Sequence, residues 1–300
     1  MSSGSNSNQT QTYLTRRFRD AGISPRSKLG QNFLIDLNLV RFLERSAEIG
    51  PQDVVLEVGT GVGSLTGMMC QSAARVITVE IDQTVFTMAQ SALLEADNVR
   101  MILADILENK NRLNREVIDA VYAEMDAVPG ARLKLVANLP YNVATPLMSN
   151  LLLLDRPPHS MTVTIQKELA DRITALPSTK DYGSLAVWIQ SQCRAETLRI
   201  MSPKVFWPRP KVDSAIIRID YDPERRARIA DLPFFHQFVR SMFFHRRKFL
   251  RSELLSAFKK QITKEQVDEV MDRLELDPTL RAEALDVDTM IRLCDPMREL

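Results

Sequence analysis

The chain has few of the residues that build metal centres, disulfides and many hydrolytic sites. Its 300 residues include only three cysteines and three histidines, scattered along the sequence: Cys70, Cys193, Cys294, His159, His236 and His245. An odd number of widely separated cysteines supports neither a disulfide framework nor a zinc site. The scattered histidines argue against a metal cluster or a histidine-based hydrolase. We therefore expect a reducing, cytoplasmic environment and a reaction that needs no metal.

Long apolar runs are also missing. No stretch reaches the roughly 18 consecutive apolar residues that a membrane-spanning helix needs. The first dozen residues are rich in Ser, Asn, Gln and Thr and lack the apolar centre of a signal peptide. We expect residues 1–24 to form a flexible tail. The whole chain is 45% hydrophobic and 26% charged, which is typical of a globular protein, and its length suits one large domain or a main domain plus a smaller one.

Net charge is small, at +1, but it is segregated. Residues 240–264 carry eight Lys or Arg against Glu253 alone, a net charge of +7, so the rest of the chain carries −6. A second basic cluster lies near the N-terminus: Arg16, Arg17, Arg19, Arg26 and Lys28. Segregated positive charge is typical of proteins that bind a phosphate backbone. A solvated helix face is the alternative, and a charge run taken alone favours it.

Short apolar runs, rich in β-branched residues, alternate with longer helical stretches. The runs are Val54–Val58, Val76–Val79, Val99–Leu103, Leu133–Ala137 and Met161–Ile165. Such runs are typical of parallel strands that are covered by helices on both faces, and they predict an α/β fold. Residues Val212–Ile219 predict a later strand that pairs with the region Thr197–Met201.

The pattern becomes helical after Pro223, with predicted helices from Phe234, at Arg251–Phe258 and from Lys264 onward. We therefore expect a catalytic domain over residues 25–224 and a helical domain over 225–300. The segment Ile106–Arg132 is charged and helix-prone, and its position beside the predicted sheet leaves open a lid or an elaborated helix.

Three glycines, Gly59, Gly61 and Gly63, follow the first predicted strand. Glycines at this spacing let the backbone approach a ligand closely where a helix begins. The spacing is G-x-G-x-G and not the G-x-G-x-x-G of pyrophosphate-binding dehydrogenases, because Ser64 follows Gly63. Glu57, two residues before the first glycine, suits a positively charged sulfonium nucleotide better than a pyrophosphate.

Carboxylates end the next two predicted strands. Glu80 is placed to accept both ribose hydroxyls of a nucleotide, and Asp105 to accept a hydrogen bond from an adenine amino group. Each residue alone is more simply explained as a helix N-cap or a solvated strand end. Three carboxylates at three successive strand ends, beside a glycine loop, favour nucleotide binding.

The fourth predicted strand runs into Asn138-Leu139-Pro140-Tyr141. An adenine amino group is a poor nucleophile because its lone pair is delocalised into the ring. The Asn138 side-chain carbonyl and the Pro140 backbone carbonyl are suited to accept its two N–H bonds and aim the lone pair at a methyl sulfonium. Tyr141 is suited to stack on the base. Alone, the tetrapeptide is typical of a tight turn; after the fourth strand behind this glycine loop it indicates amino-group methylation.

These motifs resemble the ribosomal RNA adenine dimethyltransferase family, in its bacterial small-subunit branch. The resemblance covers roughly residues 26–260 and rests on seven segments: Lys28–Leu34, Val55–Gly59, Ala137–Tyr141, Gln166–Glu168, Tyr182–Leu185, Phe206–Ser214 and Phe244–Arg251. It implies a class I S-adenosylmethionine methyltransferase fold, a Rossmann-like, mostly parallel sheet flanked by helices, with a small C-terminal α-helical domain. One departure is Thr60, which stands where the family usually has proline.

The resemblance implies a reaction and a set of roles. The reaction is dimethylation of the exocyclic amino group of two adjacent adenosines, in a hairpin loop near the 3′ end of small-subunit rRNA, within a partly assembled subunit. The implied contacts to S-adenosylmethionine are Asn32, Leu34, Gly59, Gly61, Glu80, Asp105 and Asn138. Phe206 would clamp the target adenine opposite Tyr141, although the residues alone make Phe206 a core residue. Arg246, Arg247, Lys248 and Arg251 would hold the rRNA backbone, and a monomer is expected.

Two other functions stay open at this point. Related enzymes methylate a large-subunit rRNA adenine with the same catalytic core, although the segment Phe244–Arg251 is more similar to the small-subunit branch. A non-catalytic ribosome-assembly factor could keep the fold and bind RNA, but it would be expected to lose the loop glycines or the Asn138–Tyr141 unit. DNA adenine methyltransferases typically carry Asp-Pro-Pro-Tyr at the latter position and are disfavoured.

Overall fold

The structure is a computed structural model that describes residues 11–20, 22, 24–26, 29–245, 247–259 and 261–300. In chain order its elements are α1 (Gln11–Asp20), β1 (Phe33–Leu34), α2 (Leu37–Ser46), β2 (Asp53–Val58), α3 (Ser64–Met69), β3 (Arg75–Glu80), α4 (Gln83–Ala92), β4 (Val99–Leu103), β5 (Leu107–Asn109), β6 (Arg112–Leu113), α5 (Arg115–Asp126), β7 (Arg132–Asn138), α6 (Ala144–Leu151), β8 (Ser160–Gln166), α7 (Lys167–Ile173), α8 (Ser184–Gln190), β9 (Cys193–Met201), β10 (Phe206–Trp207), β11 (Ser214–Tyr221), α9 (Pro223–Ala227), α10 (Leu232–Met242), α11 (Leu250–Ala257), α12 (Lys264–Arg273) and α13 (Val287–Glu299).

A seven-stranded sheet has the order β4-β3-β2-β7-β8-β11-β9. Strands β4, β3, β2, β7 and β8 run parallel, and β11 is antiparallel to β8. All six residues of β2 are buried, as a parallel strand covered on both faces requires. The five predicted parallel strands are confirmed, and so is the later strand, which lies next to β9. The predicted fold class, a mostly parallel α/β sheet flanked by helices and followed by C-terminal helices, is confirmed.

The chain divides into two compact units. The sheet unit comprises the described residues up to Ala170 together with Glu196–Asp220, and the helical unit comprises Asp171–Ala195 and Tyr221–Leu300. The functional division predicted between residues 224 and 225 stays a prediction. Of the basic residues singled out from the sequence, Lys28, Arg246 and Lys260 lie outside the described residues.

The segment Ile106–Arg132 forms a short hairpin, β5–β6, followed by α5. Helix α5 packs against β2 and β3 and buries Val117, Val121 and Met125, which are spaced by one turn each. The side chain of Asn114 caps its first turn by accepting from the backbone N–H of Glu116 at 3.0 Å. The longest element of the segment is therefore the crossover helix between β4 and β7, which matches the elaborated helix of the two alternatives.

The N-terminal region corrects one expectation. Residues 11–20 were expected to belong to a flexible tail, but they form helix α1, and Leu14 and Phe18 on its inner face are fully buried. The Phe18 ring meets the rings of Phe33 and Trp207 edge-on, at centroid distances of 5.1 and 5.3 Å. Two apolar residues one helical turn apart are enough when a matching apolar surface is available. Residues 1–10 lie outside the described residues.

The helical unit has a core of its own. Trp188 of α8 and Phe235 of α10 are buried with ring centroids 6.3 Å apart. The Tyr182 hydroxyl donates a hydrogen bond to the backbone carbonyl of Leu285 at 2.9 Å. The helices predicted after Pro223 are confirmed. None of the described helices is long and apolar enough to span a membrane.

Candidate active site

The sheet unit has a cavity of about 200 Å³ at the carboxyl ends of its parallel strands. The sheet order reverses between β2 and β7, and open α/β sheets bind ligands in the crevice that such a reversal leaves. The cavity lining includes every residue that was predicted to bind the cofactor: Asn32, Leu34, Gly59, Gly61, Glu80, Asp105 and Asn138. The chain therefore brings residues that are more than 100 positions apart to one wall.

The glycine loop after β2 needs glycine at its first two glycine positions. Gly59 has a φ of 86°, and a Cβ atom there would lie 3.4 Å from the Cδ of Pro140. Gly61 has a φ of 58°, and a Cβ atom there would meet the Phe33 ring at 3.4 Å. Both values lie in the left-handed region that L side chains rarely adopt. The loop therefore stays bare of side chains at these positions, so a ligand can approach its backbone.

Glu80 is a fixed and buried acceptor at the end of β3. Its two carboxylate oxygens accept from the backbone N–H groups of Gly61 and Asp82, at 3.1 and 3.0 Å. Burial raises the pKa of this carboxyl, and the two backbone hydrogen bonds oppose that rise. Glu80 thus couples the glycine loop to β3 and presents oxygen acceptors at the cavity wall.

The amide of Asn138 is oriented by the segment before β1. Its Nδ2 donates to the backbone carbonyl of Asn32 at 2.8 Å. This bond assigns the amide orientation, and the side-chain carbonyl oxygen remains as the acceptor for a ligand. Pro140 also lines the cavity, and its backbone carbonyl accepts from the N–H of Val143 at 3.1 Å. A carbonyl oxygen has a second lone pair, so it can accept one further N–H.

Tyr141 lines a second cavity, of about 470 Å³, together with Gln166 and Lys211. Its hydroxyl shares a hydrogen bond of 2.6 Å with Ser214 Oγ, and burial raises its pKa, so the phenol stays protonated at neutral pH. Gly30, Asn32 and Asn142 line both cavities. Asn138 and Tyr141 therefore face two chambers that share a wall, as transfer between two bound molecules requires.

Phe206 is not in the lining of either cavity. It is 3% exposed, pairs with Leu34 across the β1–β10 ribbon and belongs to an apolar cluster with Leu39 and Leu43. This is the core position that the residues alone indicated. The clamping role that the resemblance implied stays a prediction.

The predicted RNA-binding residues lie in the helical unit and are not equivalent. Arg247 and Lys248 are exposed, whereas Arg251 donates two hydrogen bonds to the Asp268 carboxylate, at 2.5 and 2.7 Å. The Arg251 charge is therefore already compensated. Arg246 lies outside the described residues.

A buried hydroxyl network under the glycine loop was missed at the sequence level. Thr66 and Thr78 both donate to Glu57 Oε2, at 2.5 and 2.6 Å, and Thr60 lies 2.7 Å from the Thr78 hydroxyl. Because the Thr78 proton is directed at Glu57, Thr60 is the donor in that pair. The replacement of the family's usual proline by Thr60 therefore lengthens the network. The one sequence signal that pointed to this network was the position of Glu57, two residues before Gly59.

Burial of Glu57 raises its pKa to about 8, against the two threonine hydrogen bonds that lower it. The side chain is 1% exposed, and the residue lines the cavity. Gln31 was not among the predicted site residues: it lines the same cavity, and its buried Nε2 has no hydrogen-bond partner among the described residues. A cationic ligand would favour the ionised Glu57, and an acceptor on that ligand would satisfy Gln31.

The family model described as ribosomal RNA adenine dimethylase matches residues 22–293. A relative from Listeria innocua, a ribosomal RNA small subunit methyltransferase A, is 39% identical over 280 residues, which are 93% of this chain and 92% of the relative. A relative of the same name from Clostridium botulinum is 39% identical over 270 residues, 89% of this chain and 92% of its own length.

Two solved structures share the fold. A dimethyladenosine transferase from Plasmodium falciparum superposes with a TM-score of 0.70 at 21% identity, covering 86% of this chain and 94% of the other. The 23S rRNA methyltransferase ErmE superposes with a TM-score of 0.60 at 22% identity, covering 89% of this chain and 99% of the other. The family model matches most of this chain, and relatives of that kind are 39% identical to it. The chain therefore belongs to the ribosomal RNA adenine dimethylase family.

Proposed function

We propose that this protein dimethylates the exocyclic amino groups of two adjacent adenosines in a hairpin loop near the 3′ end of small-subunit (16S) rRNA, during ribosome biogenesis. The observation that carries this proposal is the fixed amide of Asn138 in the first cavity, which shares Gly30, Asn32 and Asn142 with the cavity that Tyr141 lines. Relatives at 39% identity carry the name of small-subunit rRNA methyltransferases, which favours this substrate over a large-subunit adenine.

The first cavity fits S-adenosylmethionine. When bound, this cofactor supplies an electrophilic methyl group on a sulfonium. Glu80 would accept the ribose hydroxyls, and Asp105 would accept from the adenine amino group. Gly59 and Gly61 leave room for close approach, and Asn32 and Leu34 line the same cavity. Gln31 Nε2, which is buried and has no partner among the described residues, is a donor ready for a carboxylate.

The second cavity would take the target base, with the amino group of that base reaching into the first cavity, which Asn138 and Pro140 line. Asn138 Oδ1 and the Pro140 carbonyl would each accept one N–H of the amino group, which withdraws its lone pair from the ring and aims it at the methyl carbon. Tyr141 would stack on the base, and its hydrogen bond to Ser214 holds the ring in place. The methylated ammonium loses its proton to water, so these residues need to supply no strong base. Phe206 would join Tyr141 only if its ring left the core.

The helical residues 225–300 would bind the rRNA, and residues 25–224 would carry the reaction. Arg247 and Lys248 are the exposed cations of the predicted set, while the charge of Arg251 is already balanced by Asp268, so Arg251 would attract a phosphate less strongly. A single hairpin offers few phosphates, so we propose a partly assembled small subunit, in the cytoplasm, as the substrate of a monomeric enzyme.

Methyl transfer from labelled S-adenosylmethionine to undermethylated small subunits tests this function. We expect dimethyladenosine with the wild type and none above background with Asn138→Ala. The matched control is Asn111→Ala, which removes an exposed asparagine side chain next to β6 and should transfer as the wild type does. Tight subunit binding without transfer by the wild type would refute the enzymatic function and leave an assembly factor.

A further inference from the structure

The helical unit has a cavity of its own, of about 550 Å³. It lies between the end of α10, the turn after it and α11. Its lining includes Arg240 and Ser241 of α10, Phe244 and His245 of the turn, and Glu253 and Ser256 of α11. This lining combines an aromatic ring, a cation, two hydroxyls and a carboxylate. Such a set suits a planar ligand that has polar edges.

Glu253 is the unusual member of this set. It is the one acid among the eight cations of residues 240–264, and it is 3% exposed. Its Oε1 accepts from the backbone N–H and from Nδ1 of His245, both at 3.1 Å. Its Oε2 is buried and has no hydrogen-bond partner among the described residues. A buried acceptor that lacks a donor is unfavourable, and it indicates a ligand that supplies one.

The exposure of Phe244 is a second, independent indication of a ligand site. Its side chain is 80% exposed, and Phe249 is 49% exposed. Between them lie the exposed Arg247 and Lys248. Exposed aromatic rings interleaved with cations are how proteins bind single-stranded nucleic acid, since each base can stack on a ring while the cations follow the phosphates.

We propose that this cavity binds one unstacked nucleobase of the RNA substrate and prefers a base that carries an exocyclic amino group. The proposal rests on the proposed function only in taking RNA as the partner. The base stacks on Phe244, and its amino N–H donates to Oε2 of Glu253. Arg240 lies at the same wall and contacts a flanking phosphate.

The carboxylate explains the preference. A negative group on a phosphate-binding surface repels the backbone, so it is useful only where it meets a donor. Adenine, cytosine and guanine each present an amino group on the base edge. Uracil presents a single N–H between two carbonyl oxygens, and both oxygens repel a carboxylate. The site therefore selects against uracil and accepts the other three bases.

Fluorescence anisotropy with the full chain and labelled RNA pentamers tests this site. The probes are UUCUU, UUAUU and UUGUU, with UUUUU as the reference. We expect the wild type to bind each of the first three about tenfold more tightly than UUUUU. Glu253→Gln offers an amide that can both donate and accept, so the ratio should fall to near one. Phe244→Ala should weaken binding of the three amino-bearing probes by at least about fivefold.

Two control variants separate stacking from general effects. Phe244→Tyr keeps the ring and should keep the preference, and Phe249→Ala removes a partly exposed ring that does not line the cavity. Phe244 is exposed, so the Phe244→Ala and Phe244→Tyr pair carries the test even if Glu253→Gln does not fold. Equal binding of all four pentamers by the wild type would overturn the proposal, as would unchanged binding of the three amino-bearing probes by Phe244→Ala.

Methyl transfer to small subunits is measured on the same preparations. Transfer by the wild type without any base preference would count against this site and leave the proposed function standing. A base preference without transfer would count against the proposed reaction and leave the site standing. The two proposals therefore fail in distinguishable ways.

Discussion

The edge of the sheet buries two of its acidic side chains, whereas the basic segment 240–264 exposes cations to solvent. At the sheet edge, Glu57 and Glu80 are 1% and 5% exposed, and each is held by two hydrogen bonds. In the basic segment, Arg247 and Lys248 project into solvent. Chemistry on a single amino group needs acceptors at fixed positions, whereas a phosphate backbone needs only a field of cations that can adjust.

Because of this difference, substitutions in the two regions should change different measured quantities. Substitutions at the sheet edge should change catalysis or cofactor affinity and be insensitive to salt, because buried groups are poorly screened. Substitutions of the exposed cations should change subunit binding in a way that depends on salt.

Asn138→Asp tests the fixed acceptor. The variant keeps an oxygen acceptor but loses the donor to the Asn32 carbonyl and places a negative charge against it. We expect kcat to fall about 10²–10³-fold, with subunit binding unchanged. Single-turnover methylation and filter binding measure the two quantities. A loss of subunit affinity equal to the loss of kcat would contradict the prediction that the sheet edge affects catalysis and not subunit binding.

The double variant Arg247→Ala/Lys248→Ala tests the cations. We expect subunit affinity to fall about 100-fold at low salt, and the slope of log affinity against log salt to become shallower by about two. The value of kcat at saturating subunit should not change. The matched control is Arg112→Ala/Arg115→Ala, which removes two cations that are 73% and 86% exposed in the sheet unit. Equal losses in both double variants would mean that only net charge matters.

Glu57 predicts a pH dependence of cofactor binding. Its pKa of about 8 means that the free protein holds a proton there at neutral pH, and a cationic sulfonium favours the ionised form. Affinity for S-adenosylmethionine should therefore rise with pH, by at most about tenfold per pH unit, and level off above pH 8. S-adenosylhomocysteine, with a neutral sulfur, should respond less. Isothermal titration calorimetry from pH 6.5 to 9 measures this, and a flat profile in the wild type would contradict it.

The control for that profile is Glu57→Gln, which keeps the size of the side chain and cannot ionise. Its affinity for S-adenosylmethionine should be independent of pH over the same range. Because Thr66 and Thr78 donate to Glu57 Oε2, an amide oxygen at that position can accept both bonds. A pH dependence that persists in this variant would assign the titration to another group.

Tyr141→Phe has the smallest expected effect. It removes the hydrogen bond to Ser214 but keeps the ring that is proposed to stack on the base. We expect a loss of about 1 kcal/mol in the free energy of unfolding and a change in kcat of less than tenfold. Ser214→Ala should match it, and the double variant should add little, because both changes remove the same bond. Urea denaturation measures the stabilities.

The regular part of the fold was predictable because its signals are local. Strand β4 has the bounds that the apolar run Val99–Leu103 predicted, and the mostly apolar run of β2 indicated a buried strand, although Asp53 and Glu57 are buried with it. Helix α1 was missed because its two buried residues, Leu14 and Phe18, lie in a polar context. Both pack into an apolar cluster with Phe33, and Phe18 also meets Trp207, which no local pattern reveals.

The candidate site was predictable at the level of residue types. The cavity is lined by Gly59, Gly61, Glu80, Asp105 and Asn138, as their positions at successive strand ends implied. The network from Thr60 through Thr78 to Glu57 was not predictable, because threonines in a strand or a loop are ordinary. The roles of Phe206 and of the domain division remain predictions.

The sequence by itself determined the parallel sheet and the glycine loop, because periodicity and motif spacing encode them within short windows, and it predicted Asn138 and Pro140 as acceptors for an amino group. Only the tertiary structure decided which polar atoms are committed and which are available. Asn138 Nδ2 donates to the Asn32 carbonyl, and Arg251 donates to the Asp268 carboxylate. Oε2 of Glu253 has no hydrogen-bond partner among the described residues. Hydrogen-bond satisfaction depends on groups that are distant in the chain, so it is settled only when the chain has folded.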